Sequence, residues 1–434
     1  MAAKKSAKKT PKKKVELPDL QGLWFPFLVD GEGDKLSGRR APALLWEKGE
    51  FTAIEFPGDS SGRTPLERGL LDGALALTLP GLVCGHVEPI EALFAGYPRK
   101  PGSHAGEDAL TRDEISAAAG LCAAEAALAG VTTVYAMHRA PFFNGVLDVY
   151  ADAFRVTGVR LVIGVDVDEE TAGIEGARAA MRENIRFATL CAERDDGMSA
   201  AMAGVSHPDS LPTLLTEMVG EARRAELSFH LTLLDPAASR RRLAEKGALR
   251  SGSVAVVAAA LDEEERALIR DLEVFPVTAA RGDIARGAGP GLLRGFARRL
   301  VYGGVEGNAD VLAERDAFAA ASTGLPEAER IAAWRPIVNG WDLAAATLDR
   351  GFGRFSPGAP ADLVVLDARL PGDLTSVSLA SHLARVSARD VRHVVVAGKT
   401  VVKDGELVNV DESSIRTQAL SAASSAWRRA GKKT

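Results

Sequence analysis

His86 and Glu88 stand two residues apart at the end of the apolar stretch LTLPGLVCGHVEP (77–89), and His230 lies inside a second one, LSFHLTLLD (227–235). Two imidazoles and one carboxylate are a sufficient ligand set for a catalytic zinc ion whose fourth position is left to water, and metal-activated water hydrolyses bonds at neutral pH. A lone histidine in an apolar strand is also an ordinary core residue. The three are therefore candidate ligands for one zinc or iron ion, the alternative expectation being no cofactor at all. Side chains two apart on a strand share a face, so Cys84, His86 and Glu88 are expected to project together, the last two nearest the strand's end.

These residues need strands to carry them. From about Val15 to Leu79 the chain is short-stranded and turn-punctuated, as in LWFPFLVDGEGD and APALLWEKGEFTAIEF. After Pro80 the texture changes. TRDEISAAAGLCAAEAALAG opens with Thr111 and Glu114 in capping-box spacing and closes at Gly130, where a left-handed cap is favoured. Buried-strand candidates then alternate with helical segments: VTTVY, VRLVIGV, AMAGV, LSFHLTLL, SVAVVAAA, LEVFPV and RRLVYGG. With the strand before His86 they number eight, which predicts an α/β fold, a parallel (β/α)8 barrel over 79–354. Strand-and-turn texture returns after Phe355. The expected organisation is a lysine-rich tail (1–14), a β-sandwich built from both chain ends (15–78 and 355–411), and a C-terminal helix (412–434).

Composition narrows the function classes. With 46% apolar and 26% charged residues the chain can bury a large core, so disorder does not dominate. No stretch approaches the roughly 18 uninterrupted apolar residues of a membrane span, and no secretory signal opens the chain, so the expected location is cytoplasmic, without a membrane partner. The net charge of −5 conceals an asymmetry: without the seven lysines of the tail, 46 basic residues face 58 acidic ones. An acidic body argues against a nucleic-acid partner. Cys84, Cys122 and Cys191 are too widely spaced for a zinc knuckle or a disulfide framework.

Several motifs carry a resemblance. LPGLVCGH, LAGVTTVYAMHRAP, ENIRF, GRFSPGAPADLVVLD and VVVAGKTVVKDGELVNVDESSI, with the closing AWRRA, are together similar to the amidohydrolase superfamily, in its SsnA-type chlorohydrolase/deaminase branch. The resemblance spans nearly the whole chain after the tail. It implies metal-assisted hydrolysis on a small heterocycle. The family's metal is held by an HxH pair on the first strand, a histidine on the fifth and an aspartate on the eighth, assisted by a histidine on the sixth. Carried over residue by residue, the first histidine of the pair is His86 and the second has become Glu88. The fifth-strand histidine is His230, while Leu233 stands where a glutamate is usual. Val257 takes the sixth-strand histidine's position, and GGVE replaces GTDG, putting Val305 in place of the aspartate. His138 matches a family histidine and is expected in the pocket with Cys84, Leu233, Val257 and Val305.

A valine cannot bind a metal or take a proton. Glu306 substitutes only if the register slips by one residue. Exchanges at Glu88, Leu233, Val257 and Val305 all run against the inherited mechanism, so the sequence predicts a homologue that has lost most of its metal site and serves as a non-catalytic binding, scaffold or regulatory subunit. The alternative is a metal-dependent hydrolase of C–N bonds with a rearranged mononuclear site of His86, Glu88 and His230, and Glu306 or Asp235 as base. The resemblance further implies a homodimer, or for a non-catalytic copy a hetero-oligomer with a related enzyme. His104 and His207, in polar loop-like surroundings, are assigned no chemistry.

Overall fold

The computed structural model describes residues 21–32, 35–54, 64–98, 106–206, 211–233, 237–257, 262–285, 298–323, 332–348, 350–367 and 372–431. The expected tail over 1–14, and His104, His207 and Asp235, lie outside the described residues.

Eight parallel strand positions form the centre: β1 (Leu82–Val87), β2 (Val131–His138), β3 (Arg160–Val165), β4 in two pieces (Ser199–Ala201 and Ala203–Val205), β5 (Phe229–Thr232), β6 (Val254–Val256), β7 (Phe275–Thr278) and β8 (Val301–Tyr302). They are hydrogen-bonded as a four-stranded sheet, from β1 to the first piece of β4, and a five-stranded sheet, from the second piece of β4 to β8. Every residue of β2 and β3 is buried, as expected where helices cover one face and a packed interior the other. Backbone hydrogen bonds also cross the sheet edges. Met202 N–H donates to the Ile163 carbonyl (3.0 Å), Val167 N–H to Gly204 (2.9 Å), and Gly304 N–H, just past β8, to His86 on β1 (2.6 Å).

Four helices matter to the site: α1 (Arg112–Leu128), α2 (Val146–Thr157), α3 (Val311–Ser322) and α4 (Glu412–Ala430). Thr111 and Glu114 close reciprocal hydrogen bonds at the start of α1, each satisfying a backbone N–H that the helix leaves orphaned. Gly130, at φ +80°, turns the chain from α1 into β2. At the other end of the chain, α4 lies over α1, tied by Arg416 to Glu125 (3.1 Å) and by Arg429 to Glu114.

Both chain ends share one seven-stranded sheet. Phe27–Glu32, Lys35–Arg40 and Ala76–Pro80 come from the start, and Leu363–Asp367, Val391–Val396, Lys399–Lys403 and Glu406–Leu407 from the end. The strand entering from the start runs through Pro80, two residues beyond the expected boundary at 78, because Leu79 and Pro80 still pair with Val364 and Leu363. A four-stranded sheet from residues 22–72 packs against it over a core that includes Leu28, Leu44, Trp46, Phe51 and Leu363. Arg160 at the start of β3 joins this layer to the central strands: its guanidinium donates twice to Asp362 (2.8 and 2.9 Å), and the pair is buried. Asp362 also accepts from the Ala397 N–H (2.8 Å), so the charge is both paired and hydrogen-bonded.

Candidate functional site

The ends of β1 to β5 bring the chemistry together. The register of β1 against β2 shifts between Cys84 and Val87, a β-bulge that breaks simple alternation. Cys84 precedes that shift. It is fully buried, its thiol donates to the His86 carbonyl (3.2 Å), and its electrostatic neighbours include Glu314 on α3. Burial pushes its pKa up to about 12, which keeps it a neutral thiol.

His86 meets His230 from β5. Nδ1 of His86 and Nε2 of His230 lie 2.8 Å apart, with the rings edge to face at a centroid distance of 4.9 Å. At that separation one nitrogen carries the proton and the other accepts it, so the pair shares one proton with both rings neutral. Burial pushes the His86 pKa down to about 4; Glu88 opposes this and Arg139 adds to it. His230 is held well below the usual imidazole range by burial first and then by His86. The Ala136 backbone favours the charged ring, but among the described residues no hydrogen bond of normal geometry reaches Nδ1 of His230.

Glu88 is committed elsewhere. Arg139, the residue after β2, donates from Nε to one carboxylate oxygen (3.0 Å) and from Nη2 to the other. The nearer carboxylate oxygen stands 3.8 Å from Nε2 of His86, the ring nitrogen facing away from His230. Glu88 and His230 therefore approach His86 from different ring nitrogens. Arg139 itself follows His138, whose Nε2–H donates to the Pro141 carbonyl (2.9 Å) while Nδ1 accepts from the Tyr150 hydroxyl of α2 (2.8 Å). His138 is thus a satisfied, fully buried pin for the strand end and not the pocket wall expected of it.

The eighth strand supplies no acid. Val305 and Asn308 exchange backbone hydrogen bonds (3.1 and 3.0 Å) across Glu306 and Gly307, both at positive φ (+51° and +74°). This is the two-residue turn geometry of a tight hairpin. Glu306 occupies its exposed tip, so it is not the base that a one-residue slip would have supplied. Leu233 and Val257 are buried, continuing the ladders beyond β5 and β6 through N–H donation to Val256 (2.7 Å) and Val277 (3.0 Å).

Two functional candidates were missed in the sequence. Arg139 sits beside a residue that was singled out, and its only signal was a charge directly after an apolar strand. Asp166, one residue past β3, had the same signal. Its carboxylate accepts from the Ser206 backbone (2.7 Å) and hydroxyl at the end of β4. Burial raises its pKa against those hydrogen bonds and against the nearby Arg139 charge. Glu88, Arg139, Asp166 and Ser206 thus line the ends of four consecutive strands, where parallel α/β folds place their chemistry.

As arranged, these residues do not fit a metal. Two imidazoles at a tetrahedral ion, each about 2.0–2.1 Å from it, have nitrogens about 3.3 Å apart, wider than the 2.8 Å between His86 and His230. Glu88 is held on the other ring nitrogen, and Val305 has nothing to donate. Among the described residues no group of three or more His, Cys, Asp or Glu side chains is placed to hold an ion.

No family model matches the chain. The 5-methylthioadenosine/S-adenosylhomocysteine deaminase of Natronomonas pharaonis is 30% identical over 404 residues, covering 86% of this chain and 90% of its own length. Among solved structures, an adenosine deaminase from Xanthomonas campestris with bound zinc is similar with a TM-score of 0.73 at 19% identity, covering 94% of this chain and 99% of its own. The atrazine chlorohydrolase TrzN from Arthrobacter aurescens, complexed with zinc, gives 0.71 at 16% identity, covering 93% and 99%. At such identities the two structures speak to the fold alone. The deaminase similarity overturns the expectation of a non-catalytic subunit, since the curated relatives matching most of this chain are named for catalysis.

Proposed function

Because the chain belongs to the amidohydrolase superfamily, in the company of the 5-methylthioadenosine/S-adenosylhomocysteine deaminases, we propose that it is a hydrolase cleaving the bond between a ring carbon and an exocyclic amino group of a small heterocycle, with release of ammonia. The observation that carries this reading is the convergence of His86 on β1 and His230 on β5, whose ring nitrogens meet at 2.8 Å. We read the two parallel sheets as one closed (β/α)8 barrel, supported by the backbone bonds of Met202, Val167 and Gly304 across their edges. The two sheets of the chain ends are read as a sandwich beside it.

A divalent ion, zinc or iron, is not seated by the residues as they stand, because His86 Nδ1 is engaged by His230 while Glu88 lies on the Nε2 side against Arg139, and no step is routed through one. What the chain's own residues contribute is a buried imidazole pair, neutral at pH 7 and sharing one proton between His86 Nδ1 and His230 Nε2. They also contribute an acid, Asp166, aimed by Ser206 and kept near Arg139.

Adenine nucleosides altered at the 5′ position are the first substrates to offer, given the named relatives. Incubating zinc- or iron-supplemented protein with 5-methylthioadenosine, S-adenosylhomocysteine and adenosine is expected to release ammonia and shift the ultraviolet spectrum from adenine to hypoxanthine. No ammonia from these or from a panel of amino-triazines and amino-pyrimidines would overturn the proposal.

A further inference from the structure

We propose that Trp427, on the C-terminal helix α4, is a positioning residue for the strand-end site, holding in place the segment that runs on from Glu88. The inference rests on the hydrolase reading above and deepens it.

Three observations carry it. First, α4 holds that segment directly. Glu88 leads straight into a 3-10 helical stretch, Pro89–Phe94, and the Trp427 indole N–H donates to the Leu93 carbonyl near its end (2.6 Å). The ring of Tyr97, just beyond, meets both Phe94 (centroids 6.0 Å apart) and Trp427 (5.2 Å). Second, α4 reaches the same segment by an independent route. Arg416 donates to one oxygen of Glu125 on α1 (3.1 Å), the other oxygen accepts from the Asn308 side-chain amide (3.0 Å), and Asn308 closes the turn after β8. Gly307 of that turn lies so near Ala92 that a Cβ there would come within 2.5 Å of the Ala92 nitrogen, so the turn is a backstop for the segment. Third, the segment carries Glu88, and the Glu88 carboxylate holds Arg139 across the strand ends. Without the indole donor the Leu93 carbonyl loses its side-chain partner, and the segment is free to shift toward water. A misplacement of about 1 Å at a reacting centre, caused by a change far from the chemistry, costs roughly 100-fold in rate.

Trp427→Phe keeps a ring against Tyr97 but has no N–H, Trp427→Leu removes both, and Arg416→Met breaks the second route alone. The full-length proteins would be compared by peptide-level hydrogen–deuterium exchange and by steady-state ammonia release from 5-methylthioadenosine and adenosine. In Trp427→Phe, exchange over 89–97 is expected to be roughly fivefold faster with β3 unchanged. Its kcat is expected to be about tenfold lower with KM within about twofold of the wild type. Trp427→Leu is expected to exceed it on both counts, and in Arg416→Met the faster exchange falls on 303–309. Unchanged exchange over 89–97 in both Trp427 variants would overturn the inference. So would a rise spread evenly over the central strands, which is loss of stability and not of position, or faster exchange with kcat unchanged, which makes Trp427 a structural contact only. A wild type that releases no ammonia overturns the hydrolase reading instead, and the exchange measurement, which needs no turnover, tells the two failures apart.

Discussion

Glu88 and Arg139 are 51 residues apart in the chain, yet one guanidinium takes both oxygens of one carboxylate at the ends of neighbouring strands. The pair is nearly shielded from water, with Glu88 at 6% and the Arg139 side chain at 16% exposure. Its energetics differ from those of a surface pair, where screening reduces the gain to at most about 1 kcal/mol.

Removing one partner leaves a buried charge unpaired. Glu88→Ala is expected to cost about 3–5 kcal/mol of stability, whereas Glu88→Gln combined with Arg139→Met costs clearly less than the sum of the two single changes. Urea unfolding of the four proteins in a double-mutant cycle measures the coupling. A coupling near zero would mean that the contact contributes nothing to the fold.

His138 makes stability depend on pH. Its folded pKa, about 4, lies below the unfolded value near 6.5, so the unfolded chain binds the extra proton between those limits. The contribution is complete above about pH 6.5 and is lost as the pH falls toward 4, by about 3 kcal/mol in all. A His138→Phe variant is expected to show a shallower fall across that window, measured by chemical denaturation at stepped pH.

Glu306 at the tip of its turn is separable from the chemistry. Glu306→Ala is expected to leave kcat/KM for ammonia release within twofold of the wild type. Glu306→Gly removes the cost of a side chain at φ +51° and is expected to stabilise the protein by about 0.5–1 kcal/mol. A loss of activity beyond tenfold in the alanine variant would return Glu306 to the site.

Arg160 and Asp362 link β3 to the sheet of the chain ends, with Arg160 1% exposed. Arg160→Met is expected to lower stability by about 3–5 kcal/mol, because Asp362 stays buried without its cation. Thermal unfolding that shows two transitions in the variant would locate the loss at this junction.

Much of the architecture is legible along the chain because its signals are short-range. The alternation of apolar runs with helix formers, the Thr111–Glu114 cap and Gly130 each depend on residues a few positions apart, and each is seen where the chain places it. His86 near the end of one apolar strand and His230 within another were legible as residue types. Their pairing was not, because it takes the approach of β1 to β5 across the strand ends.

The remaining features of the site belong to three dimensions. A register shift in β1 follows Cys84, a tight turn carries Glu306 out to solvent, and Arg139 reaches across from β2 to hold Glu88. Local spacing specifies which side chains arrive at a strand end, since that follows from backbone period and turn chemistry. Which nitrogen faces which oxygen follows from how neighbouring strands are registered and from the buried charge each must find a partner for, and those are decided by contacts between residues far apart in the chain.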